Sequence, residues 1–186
     1  LEMLEFITEL AKQAGRKVLD HRSSKTLAID YKASIEIVTS ADLEADRFIC
    51  SEIARRFPNH RILSEESAPD LEDSRVIYEP LWIIDPIDGT VNYAFGIPAY
   101  ATSVAAVTGT PTPGEWEVLA GVVYSPAQGE LFHAAAGFRP PSHRARDGED
   151  RADRAVRTTH TMLRCVGLLC RGRRFLSHCL LYTSPS

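Results

Sequence analysis

Acidic side chains follow two short apolar segments in the first half of the chain. Asp85 and Asp88 come directly after Leu81-Trp82-Ile83-Ile84, and Glu65 follows the apolar pair Ile62-Leu63 closely. An apolar run of this length is typical of a buried strand, and Asp-Pro and Asp-Gly pairs favour a turn after it. If the two strands are neighbours and end together, the three carboxylates converge.

Converging carboxylates need a partner charge. Two carboxylates about 4 Å apart repel by about 1 kcal/mol in water and by about 4 kcal/mol at an effective dielectric of 20. A cation between them turns this cost into attraction, and oxygen ligands suit Mg²⁺. After Thr90, residues Val91 to Ala94 are predicted to begin a short helix, whose free N–H groups favour an anion such as phosphate. The pattern therefore predicts metal-dependent phosphate chemistry.

A simpler interpretation of these residues stays open. Asp-Pro and Asp-Gly pairs are common in turns of proteins whatever their function, and Asp88 could cap the helix that follows. On this interpretation the segment is a turn in an unrelated α+β protein and binds no magnesium.

The run Trp82–Tyr93, WIIDPIDGTVNY, with Glu65-Glu66-Ser67 upstream, resembles the signature of the inositol monophosphatase family. The likeness covers about Leu4 to Gly137, the N-terminal half of such an enzyme. It implies an α+β fold of the layered sugar-phosphatase type, with helices packed on a mostly antiparallel sheet and the C-terminal half missing. One residue departs from the family pattern, because Ser64 stands where glycine is usual.

The resemblance also implies a metal site. Glu65 and Asp85 would bind a first Mg²⁺ ion together with the backbone carbonyl of Ile87, and Asp85 and Asp88 would hold a second ion. The family supplies one more ligand from a Trp-Asp pair in its second half. No Trp-Asp pair occurs in this sequence.

Catalytic roles follow from the same resemblance, for Glu65, Thr90 and Asp42. Thr90, with Asp42 nearby, would orient the attacking water, and the backbone N–H groups of Gly89 and Thr90 would bind the phosphate. The implied reaction is direct attack of a metal-activated water on inositol 1-phosphate or a related sugar phosphate, without a phosphoenzyme. Lithium sensitivity and a homodimer of the full-length parent are further implications.

Two hypotheses therefore remain for the chain. The first is a magnesium-dependent phosphomonoesterase. The second is a truncated, catalytically inactive fragment that still binds metal and phosphate, because a ligand and most of the groups that contact the sugar ring belong to the absent half.

Asp42 has two interpretations of its own. In the first turn of a predicted helix, an acidic residue is stabilised by the helix dipole by roughly 0.3 to 1 kcal/mol, which explains it without any active site. Val38-Thr39-Ser40-Ala41-Asp42 also resembles the family's V-T-x-x-D stretch, which favours a functional role.

Periodic segments predict the elements that position these residues. Apolar residues at helical spacing predict a helix from near the start to about His21, and a second helix begins near Ser40 after a capping-box-like start and ends at Pro58-Asn59. Residues 27–31 and 35–38 read as extended chain. Later strands are predicted at 101–107, 118–124 and 130–135, with a surface hairpin loop at 108–114.

The chain changes composition near residue 137. Residues 1–137 carry 11 Lys and Arg against 21 Asp and Glu, whereas residues 138–186 carry 10 Arg, no Lys and 4 acidic residues. We interpret 1–137 as the metal- and phosphate-binding half and 138–186 as a divergent Arg-rich tail, non-native or disordered. Nucleic-acid binding by this tail is the weaker alternative, since no aromatic residues interleave with its arginines.

Other residues and the hydropathy carry less information. The spacing of Cys165, Cys170, His160 and His178 matches no zinc pattern, and His21, His60 and His133 read as surface or strand-end residues. Neither a signal peptide nor an apolar run long enough for a bilayer is recognisable. These features predict a cytoplasmic protein without a membrane partner.

Overall fold

The computed structural model describes residues 2–23, 29–32, 36–67, 77–109 and 116–136. Its helices are α1 (Glu2–Ser23), α2 (Ser40–Arg56) and α3 (Thr90–Phe95). Its strands are β1 (Ile29–Lys32), β2 (Glu36–Thr39), β3 (Arg61–Ser64), β4 (Ile77–Asp88), β5 (Ala101–Gly109), β6 (Trp116–Ser125) and β7 (Glu130–Ala135). The predicted segments, Arg-rich tail aside, appear in the predicted order, with boundaries shifted by a few residues.

Five strands form the main sheet in the order β3-β4-β5-β6-β7, and β1 and β2 form a separate antiparallel pair. Within the main sheet only β3 and β4 are parallel, while the other three pairings are antiparallel. Helices α1 and α2 pack on this mostly antiparallel sheet. The predicted α+β class is confirmed.

The core lies between helix α1, helix α2 and one face of the sheet. Residues two apart along each central strand share that face. In β4 they are Trp82 and Ile84, which stand opposite Ala106 and Val104 of β5 in register. Helix α1 contributes the stripe that packs against them: Leu4, Ile7, Leu10, Ala11 and Ala14. Each fully buried Leu or Ile side chain contributes about 1.5 to 3 kcal/mol, so this stripe fixes α1 on the sheet.

Helix α2 begins where its capping signal predicts. Thr39 is the N-cap, and its side chain and that of Asp42 each accept from the other's backbone N–H group. Ala41, Ala45, Ile49 and Ile53 are buried, as the periodicity predicts. The helix ends at Arg56, two residues before Pro58, which cannot continue it.

Two predicted boundaries were wrong. Strand β4 does not end at Ile84 but continues through Pro86 to Asp88, so both aspartates belong to the strand. The loop predicted at 108–114 starts later, since Thr108 and Gly109 still pair with β6. The rest of that loop and the whole of 138–186 lie outside the described residues. Within the described part, none of the helices combines the length and apolar character needed to cross a membrane.

Candidate active site

Parallel pairing of β3 and β4 places Glu65 beside Asp85. Ser64 stands opposite Ile84 in the register, and the Glu65 backbone N–H donates to the Ile84 carbonyl oxygen at 3.1 Å. Because parallel strands end on the same edge of a sheet, the residue after β3 meets the residue after Ile84. The convergence that the sequence predicts for these two acids follows from this register.

An irregularity in β4 brings Asp88 to the same edge. Asp85 pairs with Ser103 and Asp88 with Ala101, so β4 has one more residue than β5 between these pairs. In a regular strand, residues three apart would point to opposite faces, and a bulge with one extra residue changes this. The buried Thr102 hydroxyl donates to the Pro86 carbonyl oxygen at 2.9 Å and holds the bulge.

Asp85 and Asp42 are the two deeply buried acids at this edge. Asp85 is 3% exposed, and its Oδ1 atom has no hydrogen-bond partner in the described part of the chain. Burial raises the pKa of Asp85 well above 3.8, and the neighbouring charges of Glu65, Asp88 and Asp42 raise it further. A buried carboxyl surrounded by other carboxyls holds its proton unless a cation takes the place of that proton.

The residues at this edge fit a hard cation. They offer oxygen atoms only, their charges repel one another, and one buried oxygen of Asp85 still lacks a donor. Across the described residues, no three Asp, Glu, His or Cys side chains are already arranged as a complete ligand cluster. Mg²⁺ does not require one, because it usually keeps several waters and takes only one or two carboxylates together with substrate phosphates.

Asp42 is buried at 1% exposure and is fully engaged. Its Oδ2 accepts from the Thr39 backbone N–H at 2.9 Å and from the Thr39 hydroxyl. Its Oδ1 lies 3.1 Å from the Thr90 hydroxyl oxygen. Burial raises the pKa of Asp42, while the hydrogen bonds from Thr39 and Thr90 lower it, and burial prevails. Asp42 therefore caps α2 and also contacts the turn after β4.

Thr90 connects three parts of this edge. Besides facing Asp42, its hydroxyl lies 3.0 Å from the Ile87 carbonyl oxygen. The hydroxyl has one hydrogen, which these two acceptors share, so its lone pairs remain able to accept a hydrogen bond from another molecule. Gly89, at φ 91°, makes the left-handed turn into α3 that a residue with a Cβ atom rarely adopts.

Tyr93 fixes helix α3 against α1. Its hydroxyl donates to the Val18 carbonyl oxygen at 2.9 Å, and its ring lies edge-on to Tyr100 with centroids 5.0 Å apart. The Arg22 guanidinium donates to the Tyr93 carbonyl oxygen and lies over the ring at 5.4 Å. These contacts with the end of α1 fix the position of the segment that carries Gly89 and Thr90.

The structure brings the predicted site residues to one edge of the sheet: Asp42, Glu65, Asp85, Ile87, Asp88, Gly89 and Thr90. Their roles as ligands and catalysts remain predictions. Sequence reasoning missed Asp46, Ser64 and Thr102 as contributors to the geometry. Asp46 could have been found from its spacing, since it lies four residues after Asp42 on the same face of α2.

Known proteins resemble this chain in sequence and architecture. Residues 1–155 match the inositol monophosphatase family. The chain is 32% identical to inositol monophosphatase 3 of Solanum lycopersicum over 136 residues, which are 73% of this chain and 48% of that protein. It is 34% identical to the fructose-1,6-bisphosphatase/inositol-1-monophosphatase of Thermotoga maritima over 137 residues, 74% of this chain and 49% of that protein.

A solved structure agrees with these relatives. The crystal structure of the extragenic suppressor protein SuhB from Bartonella henselae matches with a TM-score of 0.62 and 31% identity, over 74% of this chain and 50% of that chain. The chain thus spans about half the length of the relatives it matches. The match to the family over most of the sequence, and these likenesses, show that the chain belongs to the inositol monophosphatase family.

Proposed function

We propose that the chain carries the metal and phosphate site of a magnesium-dependent phosphomonoesterase, which hydrolyses inositol monophosphate or a related sugar phosphate by direct attack of water. The observation that supports this most is the buried Asp85 Oδ1, which lacks a donor within the described structure and lies among the charges of Glu65 and Asp88. A purely structural turn gains nothing from this arrangement, because it costs repulsion and desolvation.

The residues that would hold Mg²⁺ are the three carboxylates of the edge and one carbonyl: Glu65, Asp85, Asp88 and Ile87. The Ile87 carbonyl oxygen has two lone pairs and accepts from Thr90 with one of them, so a second remains for a cation. When bound, the metal lowers the pKa of a water and neutralises charge on the phosphate.

Thr90 and Asp42 would orient the attacking water. With its hydrogen directed to Asp42 Oδ1 or to the Ile87 carbonyl oxygen, the Thr90 oxygen presents lone pairs to a water. A negative Asp42 makes the Thr90 oxygen a better acceptor for the water's proton. Glu65 would accept a proton or a hydrogen bond from that water at the same edge, which is the catalytic role proposed for it.

Gly89 and Thr90 would bind the phosphate through their backbone. Thr90 is the first residue of α3, and the first N–H groups of a helix have no acceptor inside it. The positive φ of Gly89 turns the chain so that β4 ends next to this helix start. Phosphate oxygens and carboxylates can then share a cation between them.

Inositol monophosphate is the substrate class we favour, from the names of the relatives and the Asn92-Tyr93 pair. The Thermotoga relative's name also includes fructose-1,6-bisphosphatase, so a sugar bisphosphate is the second substrate to test. A cytoplasmic location and a homodimer of the full-length protein stay predictions.

The second candidate function is a metal- and phosphate-binding fragment without turnover. It is favoured by one observation, that the chain spans about half the length of its relatives. The two candidates agree on magnesium binding and differ on phosphate release.

The test measures phosphate release from inositol 1-phosphate by the purified 186-residue chain while Mg²⁺ is titrated, with Mg²⁺ binding followed separately by calorimetry. Asp85→Asn and Asp88→Asn should abolish release and weaken binding. The matched control is Glu52→Gln, at a partly exposed acid of α2 that pairs with Arg55 away from the site. Binding without release in the unchanged chain would favour the fragment. Neither binding nor release would exclude both.

A further inference from the structure

A second buried carboxylate lies one helical turn after Asp42. Asp46, 4% exposed, accepts a hydrogen bond from the Ser64 hydroxyl at its Oδ1 atom, and the Cys50 thiol donates to the same atom at 3.5 Å. Ser64 is itself 1% exposed. None of these three residues belongs to the predicted metal or phosphate ligands.

The link between Asp46 and Ser64 joins α2 to the residue directly before Glu65. Strand β3 ends the described order of the main sheet, so β4 is the only strand beside it there. On the β4 side, the Glu65 N–H donates to the Ile84 carbonyl oxygen at 3.1 Å. On the α2 side, the Ser64 hydroxyl donates to Asp46 and so ties the end of β3 to this helix.

The turn that carries Glu65 is tied to α2 at its other end as well. The Ser67 hydroxyl lies 3.9 Å from the Cys50 thiol, and Cys50 is one turn after Asp46. Residues 42, 46 and 50 share one helix face, since they are four apart. The same face therefore contacts Thr90 through Asp42 and the ends of the Glu65 turn through Asp46 and Cys50.

We propose that Asp46 is a positioning residue which, through the hydroxyl of Ser64, fixes the backbone that presents Glu65 beside Asp85. The proposal rests on the proposed function for its catalytic consequence. Its structural part, that Asp46 and Ser64 act as one unit on Glu65, does not depend on metal or turnover. The link needs a hydroxyl at position 64, because without one Asp46 Oδ1 loses this donor.

The experiment compares Ser64→Ala, Asp46→Ala, the double variant and Asp46→Asn in the full chain. Asp46→Asn keeps an acceptor oxygen for Ser64 and is the conservative rescue. Ser51→Ala is the matched control, because Ser51 is exposed on the same helix and bonds only the Phe48 carbonyl oxygen among the contacts described for its hydroxyl.

The first readout is hydrogen exchange of the Glu65 amide without metal, relative to the core amide of Val104 as a reporter of global opening. Ser64→Ala and Asp46→Ala should each speed Glu65 exchange about 5- to 10-fold, the loss expected for about one hydrogen bond. The double variant should be no faster than the single ones, because the two residues form one link. Asp46→Asn and Ser51→Ala should stay close to the unchanged chain.

The second readout is the Mg²⁺ concentration that gives half-maximal binding, together with the concentration that gives half-maximal phosphate release. Both should rise about 10-fold in Ser64→Ala and Asp46→Ala. This is the lower end of the loss seen when a residue that positions a metal ligand is removed. Unchanged Glu65 exchange, or additive effects in the double variant, would overturn the proposal. If the unchanged chain binds no Mg²⁺, the proposed function fails, and the exchange measurements still decide the role of Asp46.

Discussion

The Thr90 hydroxyl oxygen lies 3.1 Å from Asp42 Oδ1, although the two residues are 48 positions apart in the chain. Asp42 sits in the first turn of α2, and Thr90 opens α3 directly after β4. This contact links the start of α2 to the start of α3, next to the carboxyl groups of Glu65, Asp85 and Asp88. Asp42 therefore caps α2 and also accepts a hydrogen bond from Thr90 of α3.

Replacing Thr90 by valine tests this contact, because valine has the same shape without the hydroxyl. We expect phosphate release to fall about 10²-fold or more, the usual scale for losing a group that handles the water's proton. Since the Thr90 hydrogen bond lowers the pKa of Asp42, the variant should raise that pKa further. Steady-state kinetics and carboxyl NMR titration of Asp42 measure the two effects.

Thr90→Ser is the control for that variant. It keeps the hydroxyl and should retain activity within a few-fold of the unchanged chain, with the pKa of Asp42 restored. Equal activity of the valine and serine variants would mean that the hydroxyl has no role in turnover.

Asp85→Asn should stabilise the metal-free chain at neutral pH while it weakens magnesium binding. The folded-state pKa of Asp85 is raised above 3.8, so the folded chain holds this proton more tightly than the unfolded chain. The resulting stabilisation is complete below pH 3.8 and is lost as the pH rises through the folded-state pKa. An uncharged amide avoids this loss and relieves repulsion of about 1 to 4 kcal/mol from a carboxylate about 4 Å away.

Chemical unfolding of both chains at pH 4 and pH 7, without and with Mg²⁺, measures this effect. At pH 7 without metal, the free energy of unfolding of the variant should exceed that of the unchanged chain. This difference should shrink at pH 4 and when Mg²⁺ is added. A variant less stable than the unchanged chain in every condition would show that the ionised Asp85 is satisfied by the protein alone.

His60 should make the chain less stable as the pH falls. Its Nδ1 atom lies 2.9 Å from Trp82 Nε1, and an indole N–H can only donate, so this nitrogen carries no proton. Its ring stacks on Phe57 with centroids 4.8 Å apart. Burial lowers the pKa of His60 below 6.5, against a weaker opposite effect of Glu79, whose side chain is 64% exposed and 4.0 Å away.

Because the folded-state pKa is lowered, the unfolded chain takes up this proton first as the pH falls through 6.5. The free energy of unfolding should therefore decrease below that pH, and His60→Gln should flatten the decrease. His133, whose pKa burial also lowers, contributes a similar slope, so His133→Gln is measured beside it. The Trp82 indole N–H resonance should shift with pH only while His60 is present.

Local patterns were sufficient to predict most of the elements. The helical spacing of Ala41, Ala45, Ile49 and Ile53 and the capping signal at Thr39 define α2, because both act within a few residues of the chain. The run Leu81 to Ile84 was correctly identified as a strand. The extent of β4 could not be predicted, since Pro86 and Gly89 signal a turn locally, whereas pairing with β5 extends the strand to Asp88.

The candidate site was predictable in its residues but not in its supports. Asp85, Asp88 and Glu65 each follow a recognisable apolar segment, and resemblance added the functional role of Asp42. The bonds of Asp46 to Ser64 and of Trp82 to His60 join residues 18 and 22 positions apart, and they depend on how α2 and β3 pack on the sheet. Such pairs leave no periodic signal, so only the tertiary structure identifies them.

The close approach of α1 to the sheet at Gly15 gives a last prediction. A Cβ atom there would lie 2.6 Å from Cδ1 and 2.7 Å from Cε1 of the Tyr124 ring. Alanine normally stabilises a helix interior by up to about 1 kcal/mol relative to glycine. Here we expect Gly15→Ala to lower the free energy of unfolding by about 1 to 3 kcal/mol, as overpacking does, because the Tyr124 side chain packs against the buried core. Urea unfolding measures this. In a Tyr124→Ala background the same substitution should cost much less, since the ring atoms are gone and the nearest remaining atom is the Cβ atom of Pro126, at 3.1 Å. A destabilisation of equal size in both backgrounds would show that the ring is not what excludes the methyl group.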